Sequence, residues 1–335
     1  MIKGKFNSIK NLFLLKNYTI PMKRILCLLS LLLFITACDD GNLTVDVIDF
    51  SDVAAQKCSA KDVIYKIKDS EMLFIEIPGA TFTENETLLG APIEVPISST
   101  VKVTYRKYAS TVTSLNICPT APDATPNLIE QWKATSGTIQ ITSTAVKSTD
   151  LTDNSSRITG YIYNIVFKNI TFQKPTGPQV YTTFVFGNYS RTTDPLAFGF
   201  DHELDKCTSS TKIYDFLGSV VFTLDVGADY STLFASEVTT TPRTALINAT
   251  HKLSYRLYSG TITDANFCAG TISTPTQQWD AIDGIAGTSG IIEVTTTTLG
   301  GQFQHTIRLK KVTLKKGNSD FTLGDDYLFG TLITN

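Results

Sequence analysis

Residues 102–118 read Lys102-Val103-Thr104-Tyr105-Arg106-Lys107-Tyr108-Ala109-Ser110-Thr111-Val112-Thr113-Ser114-Leu115-Asn116-Ile117-Cys118. Residues 252–268 read Lys252-Leu253-Ser254-Tyr255-Arg256-Leu257-Tyr258-Ser259-Gly260-Thr261-Ile262-Thr263-Asp264-Ala265-Asn266-Phe267-Cys268, at a constant offset of 150. Lys, Tyr, Arg, Tyr, Thr, Thr, Asn and Cys recur in place, so the chain carries one stretch twice. Each stretch opens with period-two alternation. Val101, Val103 and Tyr105 fall on one face of an extended strand, and Lys102, Thr104 and Arg106 on the other.

The correspondence continues outward in the same order. Asp52, Lys57, Cys58 and Tyr65 match Asp201, Lys206, Cys207 and Tyr214 at an offset of 149. Gln131-Trp132 matches Gln278-Trp279, and Thr135-Ser136-Gly137 matches Thr288-Ser289-Gly290. The run from Ile165 to Phe172 matches Ile307 to Leu314 at 142, and Phe186-Gly187 matches Phe329-Gly330. Such a period is far longer than the roughly 20 to 50 residues of a solenoid unit. It has the size of a domain. The expected layout is copy one over 50–189, a link over 190–197, and copy two over 198–335.

The repeated runs are rich in β-branched and aromatic residues with threonine on the polar face, and no long apolar stripe of helical period follows them. Short strands separated by turns predict an all-β chain of two tandem antiparallel β-sandwiches. Thr125-Pro126 and Thr274-Pro275 place an N-cap and a first-turn proline before Trp132 and Trp279, which predicts one short helical turn there in each copy.

The N-terminus carries an address. Met22-Lys23-Arg24 precedes an apolar run, Ile25 to Ile35, of 11 residues. That suits a signal-peptide core and is too short to span a bilayer, which takes about 20. The run ends in Ile35-Thr36-Ala37-Cys38. Residues 22–38 resemble the lipobox signal of bacterial lipoproteins: an aliphatic residue, two small residues, then cysteine. The resemblance implies removal of residues 1–37, lipidation of Cys38 and a membrane anchor. Several acyl chains anchor stably where one binds marginally. Residues 1–21 then read as sequence upstream of a true start at Met22, or else as an unusually long n-region. Residues 38–49 read as a lipidated tether. The implied location is the cell envelope, at the outer membrane, with its periplasmic or surface face left open.

The leader also distorts the charge. Its first 37 residues hold six basic groups and no acidic one, so the net of −2 hides a body of 23 basic against 31 acidic groups, net −8. Nucleic-acid binding needs a basic footprint, which this body lacks.

Without Cys27 in the leader and Cys38 at the anchor, four cysteines remain: Cys58, Cys118, Cys207 and Cys268. Three pairings are possible. Only Cys58–Cys118 with Cys207–Cys268 keeps each copy self-contained, and export supplies an oxidising compartment.

Chemistry is sparse. The histidines are His202, His251 and His305, in no metal-ligand spacing. No nucleophile motif, phosphate loop or dinucleotide fingerprint occurs, and no cofactor, metal or catalytic residue is assigned. A carboxylate pair would leave no motif, so a hydrolase stays open. Asp201-His202-Glu203-Leu204-Asp205 reads either as a calcium cluster or as a local turn bonded through Asp201. The candidate binding face is Arg106, Tyr108, Arg256 and Tyr258, outside the strand, with Trp132 and Trp279 available to stack on sugar rings. The same residues also fit a scaffold role. The expected functions are glycan or protein binding at a membrane surface, or a structural part of an envelope assembly.

Overall fold

The structure, a computed structural model, describes residues 47–335 except residue 271. The leader, Cys38 and the tether up to residue 46 lie outside the described residues. Residues Phe50–Asn335 form one compact unit. Within it the chain builds two tandem all-β sandwiches, each a single sheet curled on itself and each closed by one disulfide.

The first copy contains β1 (Gln56–Lys57), β2 (Val63–Lys68), β3 (Glu71–Glu76), β4 (Ile93–Pro96), β5 (Lys102–Tyr108), β6 (Leu128–Thr149), β7 (Ser156–Lys174) and β8 (Gly177–Thr192). They pair in the order β1-β2-β3-β5-β6-β7-β8, with β4 on β6. The second copy repeats this path with β9 (Glu203–Lys206), β10 (Lys212–Leu217), β11 (Val220–Asp225), β12 (Arg243–Leu246) and β13 (Lys252–Leu257). Its three last strands are each broken in two, giving β14 (Gln277–Ala281), β15 (Ile291–Leu299), β16 (Gln302–Lys310), β17 (Thr313–Lys316), β18 (Ser319–Thr322) and β19 (Tyr327–Thr334).

The breaks and bends fall at matched positions. Asn169 in β7 and Lys311 between β16 and β17 adopt φ of 49° and 48°. Each lies where a long strand leaves one half of the sandwich for the other, as corner-turning strands do. The repeated Phe-Gly is also explained. Pairing slips by one residue between Ile165 and Val166 and again between Ile307 and Arg308. The extra residues are Phe186 and Phe329, which are 1% exposed, each followed by a glycine of positive φ. Each is a β-bulge that sends one ring into the core.

The core follows the alternation. In the second copy Leu253, Tyr255, Trp279, Ile292, Val294, Ile307, Leu309, Phe321 and Phe329 form one cluster between the halves. Tyr105 and Trp132 are register partners with ring centroids 4.7 Å apart, and Tyr255 pairs with Trp279 in the same way. Each such side chain, fully buried, contributes about 1.5 to 3 kcal/mol.

Two expectations are corrected. The sandwiches are not wholly antiparallel, because β19 pairs in parallel with β9 through Thr331 with Glu203 and Leu332 with Leu204. Successive strands alternate in direction around the copy, and an odd number of them brings the first and last together pointing the same way. The helical turns also lie elsewhere. Residues after Pro126 and Pro275 enter β6 and β14, because pairing with β5 and β13 overrides the local cap signal. Helical turns fall instead at Gly79–Thr81, Gly227–Asp229 and Tyr230–Leu233, and at the matched Ser114–Asn116 and Ala265–Cys268. Asn116 Oδ1 accepts the Thr113 N–H at 2.9 Å and Asn266 Oδ1 accepts the Thr263 N–H at 2.8 Å, so the repeated Thr and Asn are scaffold.

The copies meet through the long β6–β7 hairpin of the first. Lys147 Nζ lies 2.6 Å from Asp320, Tyr161 OH donates to Ser319 at 3.1 Å, and Arg157 stacks 4.5 Å over Phe198. Strand β8 runs to Thr192, so the first residues read as a link belong to the sheet.

Candidate functional site

The outer face of each sandwich carries a groove, and the duplicated strand makes its floor. In the first copy the inward side of β5 is Val103 and Tyr105, and Lys102, Thr104 and Arg106 point to the other side. Arg106 sits opposite Gln131, and Thr104 opposite Lys133, across the β5–β6 register. These residues line a groove of about 450 Å3, with Gln131, Lys133 and Ala134 of β6 on one flank and Val63, Phe74 and Glu76 of β2 and β3 on the other, where Ile117 packs beside Val63 and Lys61 reaches the Ile117 carbonyl. Ile117 and Pro122 belong to the loop that the Cys58–Cys118 bond (S–S 1.98 Å) ties back over that side of the sheet.

The second copy has the same groove at the same place, about 440 Å3, lined by Asn248, Lys252, Leu253, Ser254, Arg256, Gln278, Asp280 and Ala281. Arg106 Nε donates to Gln131 Oε1 at 2.9 Å, and Arg256 Nε to Gln278 Oε1 at 3.2 Å. An arginine held at Nε keeps its fork fixed at little further entropic cost. Arg106 also lies 5.0 Å over the Phe74 ring. At that position the second copy has Thr223, whose Oγ1 accepts from Arg256 Nη1 at 3.2 Å.

The copies differ in charge. The Lys133 side chain makes no hydrogen bond or ion pair among the described residues. Asp280 replaces it in the second copy and is satisfied internally. It accepts from Ser254 Oγ at 2.6 Å and from Gln278 Nε2 at 2.9 Å. Each groove is lined by one carboxylate, Glu76 in the first and Asp280 in the second. A two-carboxylate hydrolysis needs a facing pair, which neither groove supplies.

Of the residues read as a binding face, Arg106 and Arg256 line the grooves. Tyr108 and Tyr258 do not: they are 6% and 7% exposed. Alternation places them on the outer side, but the disulfide-tied loop covers that end of it. Tyr108 packs there with Tyr65, Met72, Val112 and Ile117, and Tyr258 with Tyr214, Val221, Ile262 and Phe267. Trp132 and Trp279, 2% and 3% exposed, are core residues with no face for a sugar. Lys174 and Lys316 cover their rings at 4.6 and 4.8 Å. Gln131 and Gln278 were the missed residues. Their signal was present, since Gln-Trp is repeated as a pair and alternation puts the Gln outside whenever the Trp is inside.

The acidic stretch after the link makes a local turn, with Asp201 Oδ1 accepting the Glu203 N–H at 3.0 Å. Among the described residues no group of His, Cys, Asp and Glu is placed to hold a metal ion. His305 is buried between Thr296 and Thr334, and burial lowers its pKa. No protein family, curated protein or solved structure matches the chain.

Proposed function

We propose that this chain is a lipid-anchored cell-envelope protein that binds a ligand through the outer-face grooves of its two copies. The anchor reading rests on Ile35-Thr36-Ala37-Cys38 after the apolar run. It sets the chain at the outer membrane. The binding reading rests on one observation: the same groove, with the same arginine held by the same glutamine, occurs in both copies. A surface ion pair or amide contact contributes little to stability. Preserving it in a duplicated groove therefore fits ligand contact better than folding. Two linked grooves raise the avidity for a repetitive ligand such as a glycan through effective concentration.

The test is a glycan array probed with the mature full-length protein in detergent micelles, beside an Arg106→Gln, Arg256→Gln double variant. Signals lost in the variant support the reading, and an array unchanged by it refutes the grooves as sites. Mass spectrometry of the native protein is expected to find acyl groups on Cys38, and an unmodified N-terminus elsewhere would remove the anchor.

One observation favours a structural role in an envelope assembly as the second reading. Among the described residues strand β8 ends its sheet and pairs with β7 alone, with Val180 and Val185 63% and 64% exposed. A strand at the end of a sheet is a template for another strand. Its counterpart β19 is covered by β9. Crosslinking from residue 180 in intact cells would capture an assembly partner if this reading holds.

A further inference from the structure

We infer that the first groove is specific for a glycan bearing an oxyanion, and that the second has lost this charge preference. The inference rests on the reading of the grooves as ligand sites and adds the chemistry of the ligand. Four cationic side chains line the first groove, Lys61, Lys102, Arg106 and Lys133, against the single carboxylate Glu76. Two of the four are engaged. Lys61 Nζ donates to the carbonyls of Ile117 and Pro119. Lys102 pairs loosely with Glu76 at 3.8 Å. The other two are available. Arg106 is held at Nε, and its two terminal nitrogens make no hydrogen bond among the described residues. Lys133 has no partner there either. A fixed guanidinium fork beside a free ammonium group is the arrangement that grips a carboxylate or sulfate.

The second groove serves as an internal control. The same framework there binds its own charge. Asp280 stands in place of Lys133, and Arg256 gives one terminal nitrogen to Thr223. The cationic set of the first groove is therefore not a requirement of the fold. It also stands out against an acidic body.

The lining favours a glycan over a protein partner. Every large apolar side chain in the first groove is already buried: Val63 is 6% exposed, Phe74 5%, Val103 1% and Ile117 5%. No apolar pocket remains for the aromatic anchors on which protein interfaces depend. The groove offers Ser98 and Gln131 to hydroxyl groups, and Arg106 with Lys133 to an acidic one.

The test is calorimetric titration of the full chain in nanodiscs of neutral lipid with four probes. These are a galacturonate hexasaccharide, a sulfated heparin hexasaccharide, neutral cellohexaose, and glycerol 3-phosphate as a lipid headgroup. The expected result is salt-sensitive binding of the two acidic sugars, at least tenfold tighter than cellohexaose. Lys133→Asp, at an exposed position, is expected to lower that affinity at least tenfold, and Arg106→Gln to do the same. Asp280→Lys is expected to raise the number of acidic-sugar sites from one toward two. Cellohexaose binding as tightly as the acidic sugars, with Lys133→Asp without effect, would overturn the charge preference and leave the grooves as sugar sites. Acidic sugars bound equally by the Lys133 and Arg106 variants would place the site elsewhere and overturn both readings. Binding of glycerol 3-phosphate alone would make the ligand a lipid headgroup and overturn the glycan assignment, as would no binding of any probe.

Discussion

Lys66 and Asp215 occupy the same position in the two copies and carry opposite charges, each buried, at 4% and 6% exposure. Lys66 Nζ donates to the Phe50 carbonyl at 2.9 Å, whereas Asp215 Oδ2 accepts the His202 N–H at 3.0 Å. Both groups fasten the segment that leads into their copy, one through a carbonyl and the other through an amide. In the second copy that segment goes on to pair with β19, since Thr331 N–H reaches the His202 carbonyl at 2.8 Å.

Asp215 makes stability depend on pH. Burial pushes its pKa up to about 6 from an ordinary 3.8. The folded state therefore prefers the protonated acid. Its ionisation destabilises the fold fully above about pH 6, and that penalty fades as pH falls from 6 toward 3.8. Asp215→Asn keeps an oxygen for the His202 N–H and removes the charge. It is expected to stabilise the protein by about 1 to 3 kcal/mol at pH 8, with the gain shrinking toward pH 4. Denaturation midpoints of both proteins across that range check this, and a gain independent of pH would rule it out.

The two disulfides are expected to matter about equally. Cys58–Cys118 and Cys207–Cys268 close loops of sequence separation 60 and 61. The chain-entropy account gives about 4 kcal/mol for each, within the usual 2 to 5 for loss of a native bridge. Cys118→Ala and Cys268→Ala each also loosen the loop over Tyr108 or Tyr258. Fluorescence or calorimetric unfolding of the single variants measures the loss, and a cost below 1 kcal/mol in either would contradict the account.

Two tyrosines of the duplicated strand should answer differently to loss of a hydroxyl. Tyr255 OH donates to the Ala197 carbonyl at 3.0 Å. Tyr258 OH is buried with no partner among the described residues. Tyr255→Phe is expected to cost about 1 kcal/mol, and Tyr258→Phe to be neutral or stabilising, because a buried unpaired hydroxyl carries a desolvation penalty. Tyr258→Ala, by contrast, should cost about 3 kcal/mol or more through the cavity it leaves. Thermal melts of the three variants at one pH decide the order.

The bulge glycines are predicted to differ in tolerance. A Cβ on Gly330 would lie 2.6 Å from the His202 carbonyl oxygen, at a φ of +152°. On Gly187 it would meet only the end of the Lys66 side chain at 3.0 Å, at a φ of +105°. Both substitutions by Ala strain the backbone, at about 1 to 3 kcal/mol. Gly330→Ala must also part β9 from β19, so it should destabilise more than Gly187→Ala. Equal midpoints for the two variants would show that the seam carries no extra stability.

The sequence by itself determined the duplication, the all-β class, the pairing of the cysteines and the inward side of the repeated strand. These rest on local or covalent facts. Period-two alternation fixes which side of a strand a residue takes, and a repeated Cys in each copy leaves one self-contained pairing. Tertiary structure decided exposure. Tyr108 and Tyr258 lie on the outer side as alternation says, yet a loop tied by the disulfide buries them. Gln131 and Gln278 were visible as repeats, but they became site candidates only when β6 and β14 were set beside Arg106 and Arg256. The parallel β9–β19 seam and the opposed burial of Lys66 and Asp215 could not be read from the chain. Each depends on contacts between residues distant in sequence, and no local pattern encodes what long-range packing places over or beside a strand.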